Sequence, residues 1–307
     1  MQRIVLTAFV LAFATAAEAA PIRYELDFDT AFGGTPNERP TLPGEAVSGQ
    51  GLFEDEFGVQ VGLIRNDNAN LPVVIFDTDC VGNGCSGGDP DLGTGPAYGS
   101  PRQDNILIIQ ENGPLTNLPL PGGGTVPGVN TPDDDGDGGD IEFTWLNSRY
   151  SQGVALDRLF FVDLEETTNN PGNGSIEIPG SPGSFFPIAF TAVYAPGANV
   201  PNGTNPVVSE INLLNVNVPA GNTNCGGGTG GGGLCTGDNS VYEIVFDPLA
   251  QGNRFIESLD VQYLDVSGGF GGIYFFDAQE IPLPAAAWLL LGGIGALFGL
   301  KRIRRAA

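Results

Sequence analysis

Histidine is absent from this sequence of 307 residues, and the only lysine, Lys301, lies near the C-terminus. Without histidine the chain has no Ser-His or Cys-His nucleophilic pair, and most of it lacks a lysine base. It also lacks the GxxxxGK[ST] motif of a phosphate-binding loop. We therefore expect the protein not to be an enzyme. The alternative is a secreted polysaccharide hydrolase, in which Glu165 and a distant aspartate act as acid and base.

Basic residues are scarce. The chain has 12 basic and 36 acidic residues, which gives a formal net charge of −24. Five of the basic residues lie in the terminal segments: Arg3, Lys301, Arg302, Arg304 and Arg305. An acidic surface of this kind repels nucleic acid and anionic lipid. Nucleic acid is therefore not an expected partner, whereas a salt-adapted surface or divalent-cation binding is.

Long amphipathic helix patterns are absent, while 47 glycines and 24 prolines favour turns and loops. The apolar residues form short runs rich in Val, Ile, Phe and Tyr, which are typical of strands. The predicted strands are residues 24–28, 58–64, 73–76, 106–109, 159–162, 175–178, 184–190, 211–218, 241–246, 258–263 and 272–276. The continuous runs 73–76, 106–109 and 159–162 are expected to be buried on both faces. This spacing predicts an all-β fold, a β-sandwich of jelly-roll type, with long Gly/Asp-rich loops at 114–140 and 221–233.

The N-terminal residues 1–19 combine Arg3, an apolar stretch from Ile4 to Ala14, and small residues at Ala17 and Ala19. This pattern predicts a secretory signal peptide cleaved after Ala19, the alternative being a buried first helix. Export of residues 20–280 as an acidic β-sandwich ectodomain is therefore expected.

Four cysteines lie as two local pairs, Cys80 with Cys85 and Cys225 with Cys235. Because an exported protein meets an oxidising compartment, disulfides are expected; local pairing is favoured among the three possible connectivities. Each local bridge would contribute about 2–3 kcal/mol by closing a short loop. A zinc site is the alternative, although the spacing is loose and no histidine is available.

The densest acidic stretch is PDDDGDGGDIEF, residues 132–143. Asp133, Asp135, Asp137 and Gly138 fit the first half of an EF-hand-type calcium loop, in which alternating carboxylates converge on a hard cation. The match fails at the twelfth position, where Thr144 replaces the bidentate glutamate, and the next residues read as a strand. A looser calcium-binding loop and an acidic solvated turn both remain open.

Two further acidic clusters are candidate calcium sites. One holds Asp77, Asp79, Asp89 and Asp91 around the first cysteine pair, and the other holds Asp163, Glu165 and Glu166 at the end of a predicted strand. Ordinary rim charges are the alternative for both. The candidate calcium ligands are Asp89, Asp91, Asp133, Asp135, Asp137, Asp163 and Glu165, with Ca²⁺ as the expected cofactor.

The C-terminal residues 281–307, IPLPAAAWLLLGGIGALFGLKRIRRAA, contain an apolar run from Ala285 to Leu300. As a helix this run is about 24 Å long, which is marginal for a bilayer core of roughly 30 Å. The basic cluster that follows is expected to stay cytoplasmic by the positive-inside rule. The physical pattern therefore predicts an exported protein with a C-terminal membrane anchor.

This tail resembles the VPLPA-CTERM variant of the PEP-CTERM sorting signals, with Ile281 in place of the usual Val and with Pro282, Leu283 and Pro284 carrying the match. The resemblance implies recognition by an exosortase, a membrane-embedded cysteine transpeptidase, and cleavage near the motif. More weakly, the segments GGDPDLG from Gly87, NILIIQENG, PDDDGDGGDIEFTW and LDRLFFVDLEE are similar to β-sandwich ectodomains found with such tails. The resemblance implies that the protein is first a precursor anchored in the inner membrane and is then displayed on the cell surface or released.

The expected role is structural or adhesive, in extracellular matrix or biofilm, with extracellular polysaccharide as a partner and calcium ordering the acidic loops. A carbohydrate-binding module is the first alternative, because exposed aromatic residues on a sheet face or loop rim would bind sugars. The candidate aromatic residues are Trp145, Tyr150 and Tyr194.

Overall fold

The computed structural model describes the central part of the chain with several internal gaps. The described residues are 22–31, 39–64, 71–79, 86, 92–95, 102–111, 113–136, 138–164, 175–177, 185–196, 207–208, 241–246, 255–264 and 268–280. The chain divides into a compact body, Arg23–Gln279, and a second unit that holds residues 1–22 and 280–307. Nearly all of the second unit lies outside the described ranges, so the fold below is that of the body.

The body consists mainly of β-strands joined by turns. The strands are β1 Arg23–Leu26, β2 Thr30–Ala31, β3 Arg39–Pro40, β4 Val59–Ile64, β5 Val73–Asp77, β6 Asn105–Ile109, β7 Thr116–Pro119, β8 Thr125–Gly128, β9 Gly138–Trp145, β10 Val154–Val162, β11 Ser175–Glu177, β12 Phe185–Tyr194, β13 Val207–Val208, β14 Val241–Val245, β15 Ile256–Leu264 and β16 Gly269–Asp277. A single helical turn, α1, spans Glu54–Phe57, and a 3-10 turn spans Ala278–Glu280. The predicted all-β fold is confirmed.

Twelve of the strands form one antiparallel sheet with two halves. The β9/β15 half contains β4, β9, β15 and β12, with β11 and β13 paired to β12. The β10/β16 half contains β14, β10 and β16, with β1 and β6 along the other edge of β16 and β5 beyond β6.

The two halves are connected at both sides. On one side a single residue pair, Val154 with Ile256, joins β10 to β15. On the other side backbone hydrogen bonds run from Val47 N to Val73 O on β5 and from Gly49 N to Val61 O on β4. The antiparallel sheet is therefore nearly closed.

The core lies between the two halves because side chains alternate along the strands. On β9, Ile141, Phe143 and Trp145 are buried, whereas the residues between them are partly exposed. Aromatic rings from opposite halves meet inside: Phe143 lies 4.9 Å from Phe270, measured between ring centroids. Aromatic contacts of this kind add about 0.5–1.5 kcal/mol each to the burial of apolar area. They hold the inner faces of the halves together.

The runs predicted to be buried on both faces are confirmed for β5 and β6. Val73–Phe76 and Ile106–Ile109 are at most 4% exposed. Their outer side chains form a second apolar cluster with Leu92 and Val129. The prediction is wrong for Phe160, in the run 159–162, because it is partly exposed while its neighbours are buried.

The stretch 114–140, predicted as a loop, is only partly a loop. It contains the antiparallel hairpin of β7 and β8, paired from Thr116 with Gly128 to Pro119 with Thr125. It also contains the start of β9. Glycine and proline content hid this hairpin, because Pro127 and the turn glycines Gly123 and Gly124 read as loop residues.

Gly153 forms the corner where β10 approaches β15. Its φ is +79°, a left-handed conformation that favours glycine. A β-carbon at this position would lie 2.6 Å from the carbonyl oxygen of Ile256 and 2.5 Å from the β-carbon of Ala195. Only a residue without a side chain permits this approach of the two halves.

Candidate functional site

Two of the predicted acidic segments meet at Gly268, just before β16. The Asp134 Oδ2 accepts a hydrogen bond from the Gly268 backbone N at 2.7 Å. A β-carbon on Gly268 would lie 2.9 Å from the carbonyl oxygen of Asp163. The acidic loop before β9 and the end of β10 are therefore neighbours, although they are distant in sequence.

The predicted ligands in these segments differ in their surroundings. Asp135 and Asp163 are buried, with 4% and 1% of their surface exposed. The Asp133 backbone N donates to Gln110 Oε1 at 3.2 Å, which fixes the backbone of the loop. Within the described ranges, no group of three or more acidic or cysteine side chains is placed to hold a metal ion. Calcium binding at this end of the body stays a prediction.

A buried tyrosine lies at the same end and was missed by the sequence reasoning. Tyr263 is 4% exposed, and its hydroxyl has no hydrogen-bond partner among the described residues. Burial, and then the negative charge of Asp134, raises the pKa of Tyr263 well above its usual range. The phenol is therefore neutral in the folded protein. Tyr263 alternates with Leu259 and Val261 on β15, and this pattern predicts that the Tyr263 side chain points into the core.

The second predicted cluster is partly described. Asp79, which follows β5, pairs with the Arg102 guanidinium at 2.8 Å, and Arg102 also pairs with Asp104. An arginine thus occupies the side of the cluster that the structure describes. Asp89 and Asp91 lie outside the described residues.

The outer face of the β9/β15 half carries three carboxylates, a group we call the acidic face. The register places Asp260 on β15 directly opposite Glu142 on β9, and Asp140 lies two residues along β9. Burial, followed by the charge of Asp140, raises the pKa of Asp260 to about 6, while a hydrogen bond from Gln262 lowers it. Burial also raises the pKa of Asp140. Burial, and for Asp260 the neighbouring like charges as well, therefore makes the ionised form of this face unfavourable.

The outer face of the β10/β16 half carries aromatic rings. Tyr274 and Phe276 flank the buried Phe275 on β16, so both project outward. Phe160 on β10 lies opposite Gly272, and its ring centroid is 5.1 Å from that of Tyr274, edge to face. We call Phe160, Tyr274 and Phe276 the aromatic face.

Paired charges surround the aromatic face. The Arg23 guanidinium lies over the Tyr274 ring at 4.9 Å and also pairs with Glu25. Arg158, directly opposite Tyr274, pairs with Glu243 from β14. Burial, and then Glu25, raises the pKa of Tyr274, so its hydroxyl remains a neutral hydrogen-bond donor. Sequence reasoning missed this face, although the alternation in IYFFD, residues 273–277, indicates it.

The three aromatic residues predicted for a sugar-binding surface are buried instead, so that prediction is wrong. Trp145 and Tyr150 are 1% exposed and Tyr194 is 7% exposed. Trp145 and Tyr150 both pack against Phe275 in the core. Trp145 alternates with Ile141 and Phe143, and this period-two pattern is the sequence signal that predicts its burial. Its position at the end of β9 does not expose it.

The remaining predicted residues lie outside the described ranges. They are the cysteines Cys80, Cys85, Cys225 and Cys235, the acidic residues Asp137 and Glu165, and the motif Ile281, Pro282, Leu283 and Pro284. The predicted strand 211–218 and loop 221–233 lie outside as well. In the part of the chain that is described, no helix has the length and apolar character needed to span a bilayer.

Comparison with known proteins gives no relative for this chain. No protein-family model matches it, and neither a curated protein nor a solved structure shows significant similarity.

Proposed function

We propose that this chain is an exported protein that an exosortase-like transpeptidase sorts to the cell surface or releases from it, with a structural or adhesive role in extracellular matrix. The supporting observation is the division of the chain. The segments with the signal-peptide and sorting-signal patterns fall outside the compact body, Arg23–Gln279. A body with its own core can lose both ends without losing core side chains.

We assign the two sheet halves to the two layers of a β-sandwich of jelly-roll type. Ring contacts between the halves support this assignment: Trp145 lies 5.6 Å from Phe275, and Phe161 lies 5.9 Å from Phe190. The aromatic and acidic faces then become the two outer surfaces available for contacts in a matrix.

The mass of the mature C-terminus tests the sorting proposal. In a bacterial host that carries an exosortase, we expect loss of the residues after the Pro282–Pro284 region. A Pro282→Ala/Pro284→Ala variant is expected to accumulate with Ala307 intact. The sequence offers a matched control, since Pro119→Ala/Pro121→Ala changes the same Pro-Leu-Pro pattern within the body. An intact Ala307 in the parent protein would contradict the proposal and favour a plain anchor.

Calcium is proposed to stabilise the acidic end of the body near Gly268. The supporting observation is that the Asp134 carboxylate and the backbone carbonyl oxygen of Asp163 both lie beside Gly268, which brings the two acidic segments together. A ligand that binds only the folded form raises its stability. With 1 mM CaCl₂ in place of chelator, we expect the melting temperature of the full chain to rise by about 2–4 °C or more.

The variants Asp134→Asn and Asp163→Asn are expected to reduce this calcium-dependent shift. Asp55→Asn is the control, since Asp55 is exposed on α1. An equal midpoint with and without calcium in the parent protein would contradict the calcium proposal alone.

A further inference from the structure

The aromatic face differs from the scattered apolar residues found on most protein surfaces. Phe160 and Tyr274 are in ring contact, and Phe276 follows two residues further along the same strand, roughly 7 Å away. The three rings thus lie side by side, as a strip, on two neighbouring strands, and each is partly exposed. Neighbouring apolar side chains that reach the surface together mark binding surfaces, whereas isolated ones do not.

Gly271 lets Phe160 and Gln103 pack closely against β16. A β-carbon at this position would lie 3.1 Å from the Phe160 β-carbon and 2.7 Å from Gln103 Oε1. Gly271 and Gly272 are both buried, so the strip begins at Phe160 and Tyr274 and continues to Phe276.

The charges beside the strip are arranged for hydrogen bonding to a neutral partner. Arg23 pairs with Glu25 and with Asp157 at 3.4 Å, and Arg158 pairs with Glu243. These mutual pairs largely cancel, so the surface does not favour a polyanion. The guanidinium groups keep spare N–H donors and the carboxylates keep spare acceptor sites, both held in place by the pairing.

A sugar ring matches both features. One side of a pyranose ring presents C–H groups, whose positive edge suits the negative face of an aromatic ring. Its hydroxyl groups both donate and accept hydrogen bonds, as the surrounding charged pairs require. A chain of such rings matches a strip that crosses neighbouring strands.

We propose that the aromatic face, Phe160, Tyr274 and Phe276, binds a neutral polysaccharide, with Arg23, Arg158, Glu25 and Glu243 contacting its hydroxyl groups. The inference deepens the proposed extracellular function, on which it rests, by naming a ligand class and a surface. Binding by the purified protein requires neither export nor processing.

Native affinity electrophoresis of the full chain in mild detergent tests the proposal. Gels contain mixed-linkage β-glucan, xylan, galactomannan or dextran, with the polyanion alginate for comparison. We expect at least one neutral polysaccharide to retard the protein and alginate not to. Tyr274→Ala and Phe160→Ala are expected to weaken the retarding interaction about tenfold each.

Two further variants serve as controls. Tyr274→Leu keeps apolar volume but removes the planar ring, and it is expected to lose binding even where Tyr274→Ala unfolds. Ile64→Ala, at a half-exposed position on β4 in the other half, is the matched control and should bind like the parent. A melting curve for each variant separates lost binding from lost fold.

The outcomes are decisive in either direction. Lack of retardation by every neutral polysaccharide would overturn the inference, as would retardation that both Tyr274 variants and Phe160→Ala retain. Retardation by alginate alone, or a dimer that Tyr274→Ala dissociates, would assign the face to a polyanion or a second copy instead. Binding together with an intact Ala307 in the host would overturn the sorting proposal while leaving this inference in place.

Discussion

The two outer faces of the sheet show how one alternating pattern can give opposite electrostatics. On the acidic face, Asp260 lies opposite Glu142, and neither carboxylate forms an ion pair among the described residues. On the aromatic face, Arg158 and Glu25 lie on either side of Tyr274, each in an ion pair. Strand register, more than composition, therefore decides whether charges on a face oppose or satisfy each other.

Polar positions on both faces look alike in the sequence. On β9 each partly exposed residue of DIEFT follows a buried one, and on β10 Asp157 and Phe160 of LDRLF do so as well. The difference is which strand lies alongside: β15 pairs with β9, whereas β14 and β16 pair with β10. Variants at the Gly153 corner, at Asp260 and at Glu243 therefore test this difference between the faces.

The largest expected effect is at the corner. Gly153→Ala should lower the free energy of unfolding by about 3 kcal/mol, because it adds left-handed strain to a clash with the Ile256 carbonyl oxygen. Urea unfolding followed by tryptophan fluorescence measures it, since Trp145 lies in the core between the halves. Both faces should be lost together.

Gly49→Ala is the matched control for the corner. Gly49 has φ +72°, similar to Gly153, but a β-carbon there would meet nothing within 4 Å. Its expected cost is about 1 kcal/mol, from backbone conformation alone. Equal losses in the two variants would show that close approach of the halves is not what requires glycine at position 153.

On the acidic face we expect a change of intermediate size, and this change raises the free energy of unfolding. Since the folded pKa of Asp260 is about 6, above its usual value, its ionisation disfavours the folded state. The contribution of neutral Asp260 to the stability of the folded state is present below about pH 4 and is lost as the pH rises through about 6. After allowance for solvent screening, Asp260→Asn should therefore add about 1–2 kcal/mol at pH 7.5 and little at pH 4.

Urea unfolding at both pH values measures this change. Some pH dependence remains in Asp260→Asn, because burial and then Asp27 also raise the pKa of Asp29 to about 6. Asp55→Asn removes an exposed charge elsewhere and should change the stability by less than about 0.5 kcal/mol. A destabilised Asp260→Asn at pH 7.5 would refute the conclusion that ionised Asp260 disfavours the folded state.

The smallest expected effect is on the aromatic face. Glu243→Gln removes the partner of Arg158, and both side chains are partly exposed. We expect a loss of up to about 1 kcal/mol in low salt that shrinks in 1 M NaCl, because salt screens exposed pairs. If Glu243→Gln stabilised the protein, the charges on the aromatic face would oppose each other as those on the acidic face do, and the contrast between the faces would be wrong.

The strands were largely predictable from sequence, and the surfaces were not. Alternation in SLDVQY and GIYFF predicts β15 and β16, and the continuous runs predict β5 and β6, because these patterns depend on local geometry. The exposure of Phe160 depends on whether another element covers its side of β10, which local pattern does not contain. For the same reason, Asp134 was not distinguished from Asp133 and Asp135, since its partner Gly268 is distant in sequence.

The position of β16 gives the body a mechanical property. This strand directly precedes the C-terminal segment and is hydrogen-bonded along both edges, to β10 on one side and to β1 and β6 on the other. A pull on Gln279 runs along the strand axis and loads these backbone bonds in parallel, so that many must break at once. Tyr274 and Phe276 lie on this same strand, so tension between a partner held there and the C-terminus would follow one continuous backbone path.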